Sequence, residues 1–227
     1  MPRHLVAVLC GVLLALCLPR LGLCPLAWVA LSPLLLEISR CSLRQAFARG
    51  WLAGFAFHGV AFYWIYSTCR FAQIPVPVAL LAWAALAAFQ GLLWGVIGLF
   101  GRYAAEALPE RFKPWGWAVA WTALAVVAER WTARLPGDLL AYTQWRHLTL
   151  IQMGSVFGPH GLGFLIVLVN AALARVWVES EGGRRPAPVT GPTLACAAGL
   201  MLVAFSYGTW SLAARALPGE TARIEIL

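Results

Sequence analysis

Residues Phe71 to Gly101 read FAQIPVPVALLAWAALAAFQGLLWGVIGLFG, and no Asp, Glu, Lys or Arg interrupts them. A helix needs about 20 consecutive apolar residues to cross the hydrocarbon core of a bilayer, so this run spans it with residues to spare. His147 to Ala174 and Pro186 to Ala214 are likewise free of those four residue types. The three runs place transmembrane helices at Val76 to Phe100, Gly161 to Trp177 and Thr193 to Ala213.

Outward from these, Leu5 to Leu18, Leu26 to Ile38, Gly50 to Ser67 and Trp115 to Val127 read as further spans, about seven in all. The first two are short and bounded by Pro19 and Pro25, with Pro33 inside the second, so they form either two tilted spans or a re-entrant pair. Over 227 residues, 61% are hydrophobic and 11% charged, with a mean hydropathy of +0.77. So apolar a chain has too little polar surface to cover a water-soluble fold. The expected fold class is all-α, a polytopic transmembrane helix bundle over residues 1–214, with an outer loop at 132–160. Residues 215–227 form a tail whose end, Ala222 to Leu227, alternates polar and apolar side chains like an opening β-strand. The amino-terminal Leu5 to Leu18 run lacks a following signal-peptidase site and reads as an uncleaved first span.

Seventeen Lys and Arg against nine Asp and Glu give a formal charge of +8. All but Lys113 are Arg, standing singly at segment ends where their stems can snorkel to the headgroups. No run is dense enough to track a phosphate backbone, which excludes nucleic acid as a partner. With the amino terminus inside, ten of these cations fall on the inner side and seven on the outer, in line with the positive-inside rule. That register puts the carboxyl terminus outside. Tyr63, Trp64 and Tyr66 close the third span, and Trp115 and Trp117 open the fifth, as interfacial aromatic residues do.

Polar side chains at membrane depth mark candidate sites. His58, Gln90 and Asn170 lie inside spans, and interhelical hydrogen bonding is the favoured reading over a solute pathway. Glu37 and Glu129 sit at span ends, within reach of headgroup water or an Arg. Gly50-Trp51-Leu52-Ala53-Gly54 and Gly91-Leu92-Leu93-Trp94-Gly95 are G-x-x-x-G patterns that let helices approach closely. The six cysteines show neither zinc-ligand spacing nor a disulfide framework. No hydrolase, P-loop or dinucleotide motif occurs, so the reading assigns no catalytic residue, metal or cofactor to the chain.

Several ordered runs resemble the amino-terminal membrane domain of the bacterial apolipoprotein N-acyltransferase family. They are Pro25 to Leu35 (PLAWVALSPLL), Tyr63-Trp64-Ile65-Tyr66, Glu129-Arg130, Leu135-Pro136-Gly137, Ala141-Tyr142-Thr143-Gln144 and Gly161 to Ala171 (GLGFLIVLVNA). Departures stand among them: Gly137 where the family usually has Trp, Ala141 where it has Gly, and Pro159-His160 before the sixth span. The resemblance implies an inner-membrane enzyme that moves an acyl chain from phospholipid to the diacylglyceryl-cysteine at a lipoprotein's amino terminus. It also implies a Glu-Lys-Cys triad on a nitrilase-like periplasmic domain after the seventh span. This sequence stops at what resembles that domain's first strand, so no triad residue maps onto it and the chain alone is expected to be inactive.

On this reading Tyr63, Trp64, Glu129, Tyr142, Gln144 and Trp145 are the candidate substrate-binding residues, lining a doorway for acyl chains. Membrane phospholipid is the expected partner, with lipoprotein substrate where a catalytic domain is present. An alternative is a scaffold subunit that recruits a separately encoded nitrilase-like partner through the tail. A small transporter is a more distant alternative. The expected location is the bacterial inner membrane, amino terminus cytoplasmic and carboxyl terminus periplasmic.

Overall fold

The computed structural model describes residues 2–19, 21–131, 139–181 and 190–215. The Leu135-Pro136-Gly137 element and the strand-like tail lie outside the described residues. The helices are α1 (Arg3–Ala15), α2 (Ser32–Ser39), α3 (Leu43–Ala61), α4 (Tyr63–Phe71), α5 (Val76–Ala107), α6 (Lys113–Trp131), α7 (Leu148–Ile151), α8 (Gly154–Glu181) and α9 (Thr190–Arg215). Short 3-10 turns occupy Cys24–Trp28, Glu110–Phe112 and Leu140–Gln144, and no strand occurs among the described residues. This is an all-α membrane helix bundle. Three helices are long and apolar enough to cross a bilayer, those within Val76–Ala107, Gly154–Ser180 and Gly191–Ala214, as the charge-free runs predict.

The flanking segments depart from the expected boundaries for physical reasons. The stretch expected as one span from Leu26 to Ile38 is a 3-10 turn followed by α2, with Pro33 in the first turn of the new helix, where its missing N–H is harmless. The third expected span divides at Phe62. There α3 stops, the Phe62 ring is buried beside His58 at 5.3 Å between centroids, and α4 continues with no buried residue. Tyr63 and Trp64 therefore belong to a separate surface helix. The start of α3 is set by a capping box, Ser42 and Gln45 each accepting the other's backbone N–H, which satisfies donors that an unfinished helix end would leave open.

Glycine decides the closest helix pair. A Cβ on Gly50 would strike the Trp94 carbonyl oxygen, one on Gly54 would lie 2.8 Å from the Trp94 Cβ, and one on Gly91 would lie 2.9 Å from the Phe55 nitrogen. The two G-x-x-x-G patterns thus face each other across α3 and α5, and backbones meet where side chains would otherwise hold them apart.

Charged side chains gather at one end of the bundle. Glu37 on α2 lies 3.5 Å from Arg3 of α1 and 3.2 Å from the buried Arg49 of α3. Arg102 of α5 donates to the Cys41 carbonyl at 2.6 Å and pairs with Glu106 at 2.5 Å. Glu110 joins Lys113 of α6 at 2.5 Å to Arg175 of α8 at 2.6 Å. Every cation in these pairs belongs to the set that the alternation of spans assigns to a single side. The opposite end holds the Glu129–His160 pair, the Ser155–Tyr207 hydrogen bond and the Arg146 guanidinium against Gly22. Below, these are the charged end and the aromatic end.

Candidate functional site

At the aromatic end the chain between α6 and α8 turns inward. Gln144 is fully buried and ties this turn to the Cys24–Trp28 turn. Its Oε1 accepts from Trp28 Nε1 at 3.1 Å and lies 2.9 Å from His147 Nδ1; its Nε2 donates to the Cys24 carbonyl at 2.9 Å and to Thr143 Oγ1 at 3.1 Å. Thr143 Oγ1 in turn donates to the Leu140 carbonyl at 2.6 Å. With each polar atom satisfied inside the protein, Gln144 acts as a rivet between two loops.

Its neighbours in sequence point elsewhere. Tyr142 and Trp145 stay 39% and 38% exposed, and both line a cavity of about 370 Å³ that reaches the start of α8 at Gly158 and Pro159. Gly158 adopts φ 63° and ψ −176°, and a Cβ there would meet nothing within 4 Å. Glycine is needed for the backbone conformation itself, which other residues essentially never adopt. Pro159 reinforces the break, since the residue before a proline is disfavoured in the helical region. Pro159-His160 thus sits at the kink bordering this cavity.

Tyr63 lines a second, larger cavity. This groove of about 670 Å³ runs between α1, α3 and α5, with Val12, Leu52, Phe55 and Ala87 among its almost wholly apolar walls. Trp83 closes it beside Tyr63, their rings 6.4 Å apart edge to face, and is fixed by donating its Nε1 to the Gly59 carbonyl at 2.9 Å. Trp64 lies half exposed on α4. Glu129 is held 2.6 Å from His160 Nε2 at the end of α6.

Three of the six candidates thus line cavities, Tyr63 one and Tyr142 with Trp145 the other, and the two share no lining residue; Gln144, Trp64 and Glu129 line neither. Trp83 and Gly158 line these cavities and Trp28 bonds to Gln144, and none of the three was a candidate from the sequence. Only Gly158 carried a local signal, its place before Pro159. Trp83 lies in the longest apolar run, where nothing tells one face from another.

Cys24 and Cys41 are enclosed by protein rather than presented as nucleophiles. Cys24 is buried with its carbonyl engaged by Gln144. Burial pushes the Cys41 thiol above its ordinary value despite the pull of Arg49 and Arg102, which keeps it protonated and unreactive. Among the described residues, no group of three or more His, Cys, Asp or Glu is placed to hold a metal ion.

Residues 10–172 match a family model described as the apolipoprotein N-acyltransferase N-terminal domain. Among curated relatives, an apolipoprotein N-acyltransferase of Geobacter metallireducens is 34% identical over 209 residues, covering 90% of this chain and 39% of that protein. One from Nostoc sp. is 31% identical over 191 residues, 78% of this chain and 36% of its own length. One from Coxiella burnetii is 29% identical over 179 residues, 75% and 36% respectively. The chain therefore spans somewhat over a third of the length of these relatives.

Proposed function

Because the chain belongs to the apolipoprotein N-acyltransferase family, matching its N-terminal domain, we propose that it forms the membrane-embedded portion of an enzyme that transfers an acyl chain from phospholipid to the diacylglyceryl-cysteine of lipoproteins. The observation that carries this reading is the pair of apolar cavities bordered by Tyr63 and by Tyr142 with Trp145. Substrates whose reactive ends are polar and whose bodies are acyl chains must move from the bilayer plane toward the surface. They need apolar walls with aromatic residues among them, and both cavities have these.

In this arrangement the groove between α1, α3 and α5 accepts an acyl chain, and the cavity at the Gly158 break receives a second chain at the aromatic end. Gln144 keeps the rim in place without touching substrate. Glu129 and His160 fix the end of α6 against the start of α8. The aromatic end faces the periplasm, the charged end faces the cytoplasm, and the membrane is the bacterial inner membrane. The bond-forming chemistry is assigned to residues outside this sequence. The chain supplies entry, alignment and exclusion of water.

A chimera joining this chain to the remaining portion of the Geobacter relative tests the reading. With phospholipid and a diacylglyceryl-cysteine peptide it is expected to yield the N-acylated peptide, detected by mass, while the purified chain alone yields none. Tyr142→Ala in the chimera should lower turnover about tenfold, the order of a lost aromatic wall contact. Turnover by the chain alone, with an acyl-thioester on Cys24 or Cys69, would overturn the assignment.

A further inference from the structure

The groove between α1, α3 and α5 has a direction. α1 and α3 start from the charged end, where Arg3 and Arg49 meet Glu37, whereas α5 runs back to it and arrives at Arg102. Ranked upward from that end, the lining residues are Val8 then Val12 on α1, Leu52 then Val60 on α3, and Ala87 then Trp83 on α5. From Leu52 to Val60 the wall rises about 12 Å along the helix axis, close to the depth of one leaflet in a hydrocarbon core about 30 Å thick. The flanks are apolar and uncovered, with Leu9 of α1 44% and Leu80 of α5 43% exposed. Outside such flanks in a bilayer lies hydrocarbon, so the groove opens sideways to lipid tails.

Trp83 sets its upper boundary. The ring reaches from α5 across to α3, where its Nε1 donates to the Gly59 carbonyl at 2.9 Å. Gly59 lies in the last turn of α3, where carbonyls lack helical partners. A Cβ on Gly59 would lie 3.8 Å from Trp83 Cζ2, so the indole covers the space that a larger side chain would take. Tyr63 meets the same ring edge to face, and α4, which has no buried residue, is tied to the groove by this contact of its first residue. Tyr63 and Trp83 also carry the only polar side-chain atoms in the groove lining among the described residues.

We propose that this groove takes one acyl chain of a phospholipid from the leaflet at the aromatic end, its ester beside Trp83 and Tyr63 and its methyl end toward Leu52, and that Trp83 is the residue that sets how firmly the chain is held. That an acyl chain fills the groove rests on the acyl-transfer reading; its orientation and the part played by Trp83 follow from the geometry. Reversed, the chain would press its ester against Leu52 and Val8, whose side chains offer no hydrogen-bond donor, and burying a polar group in that way is costly. Upright, the ester meets the polar tips of the two aromatic residues while its methylenes lie on apolar walls.

The test uses the full chain in nanodiscs containing phosphatidylcholine whose acyl chain carries a photoreactive diazirine, either next to the ester or at the methyl end, with the adducts located by peptide mass mapping. The ester-side probe should label the Tyr63 and Trp83 level and the methyl-end probe the Leu52 and Val8 level. Trp83→Ala should lower groove labelling about fivefold, the order of one lost aromatic contact. Trp83→Phe, which keeps a ring but cannot donate to Gly59, should lower it about twofold with the order of labelling kept. Trp210→Ala, on α9 away from the groove, should leave it unchanged. Labelling in the reverse order, or both probes marking the same level, overturns the orientation. Unchanged labelling in both Trp83 variants, or an equal loss in Trp210→Ala, overturns the role of Trp83. If the chimera yields N-acylated peptide while the groove labels no more than the exposed face of α9, the acyl-transfer reading stands and the groove assignment falls. Ordered labelling with an inactive chimera keeps the groove assignment and sinks the acyl-transfer reading.

Discussion

Helices α5 and α8 are equally apolar, each with a mean hydropathy of 1.9 over its best window, yet 22% of that window is buried in α5 and 56% in α8. α5 turns Leu81, Phe89 and Tyr103 outward, whereas Leu165, Ile166, Leu168 and Ala172 of α8 are enclosed by protein. Hydropathy measures whether a segment enters the bilayer. It does not say whether the neighbour is a lipid tail or another helix, because the two are nearly alike as solvents. What distinguishes the pair is how each is held. α5 is held by glycine, through backbone contact with α3. α8 is held at its buried middle by the polar side chain of Asn170.

Asn170 meets the break before α2. Its Oδ1 accepts from Leu31 N at 2.9 Å, Ser32 N at 3.0 Å and Ser32 Oγ at 3.1 Å, and its Nδ2 donates to the carbonyls of Ala27 and Ile166, both at 2.9 Å. Where the chain leaves its 3-10 turn and starts again as α2, backbone groups lack helical partners. At membrane depth no water can replace them. Asn170 supplies the missing hydrogen bonds and so makes a broken second segment tolerable.

The largest expected effect follows from removing it. Asn170→Leu should destabilise the bundle by about 3–5 kcal/mol, since several buried groups lose their partner at roughly 1–3 kcal/mol each. Denaturant titration of the purified protein would show it, and a loss below about 1 kcal/mol would break the contrast between the two helices. Next, Gly50→Leu should cost about 3 kcal/mol by forcing α3 from α5. Gly199→Leu on α9, where a Cβ meets nothing within 4 Å, should change little in the same titration. A smaller effect separates the two helices directly. Leu168→Ala on α8 should cost about 2 kcal/mol through the packing void it leaves, against under about 0.5 kcal/mol for Leu81→Ala on α5. Equal losses would mean that both helices are equally enclosed. The smallest expected effect is Glu110→Gln, which loosens the tie between α6 and α8. With the Glu110 side chain 52% exposed, screening limits the cost to roughly 0.5 kcal/mol, and the difference should shrink in high salt.

Much of this architecture is legible in the residue order. The three charge-free runs mark the three long helices, and the facing G-x-x-x-G patterns mark the tightest pair. The alternation of Arg-bearing ends predicts that Arg3, Arg49, Arg102 and Arg175 share one side, and their ion pairs gather there. Less legible were the ends of segments. α3 ends at Phe62, whose ring is buried beside His58, a break that hydropathy alone does not mark. The candidate site was legible as a region but not in detail. Tyr142 and Gln144 are two residues apart and both polar-tipped, yet one rims a cavity and the other is sealed between loops.

Read alone, the residue order determined that the chain lives in a membrane, how many long helices it has and which helix ends lie together, because hydropathy and charge act locally on each segment. Only the tertiary structure decided which helix faces lipid, which cavity each aromatic residue borders and where Gln144 and Asn170 find their partners. A soluble helix betrays its buried face by a polar stripe on the other. Within a bilayer both faces are apolar, so that stripe is missing, and the inward face emerges only from which surfaces fit together.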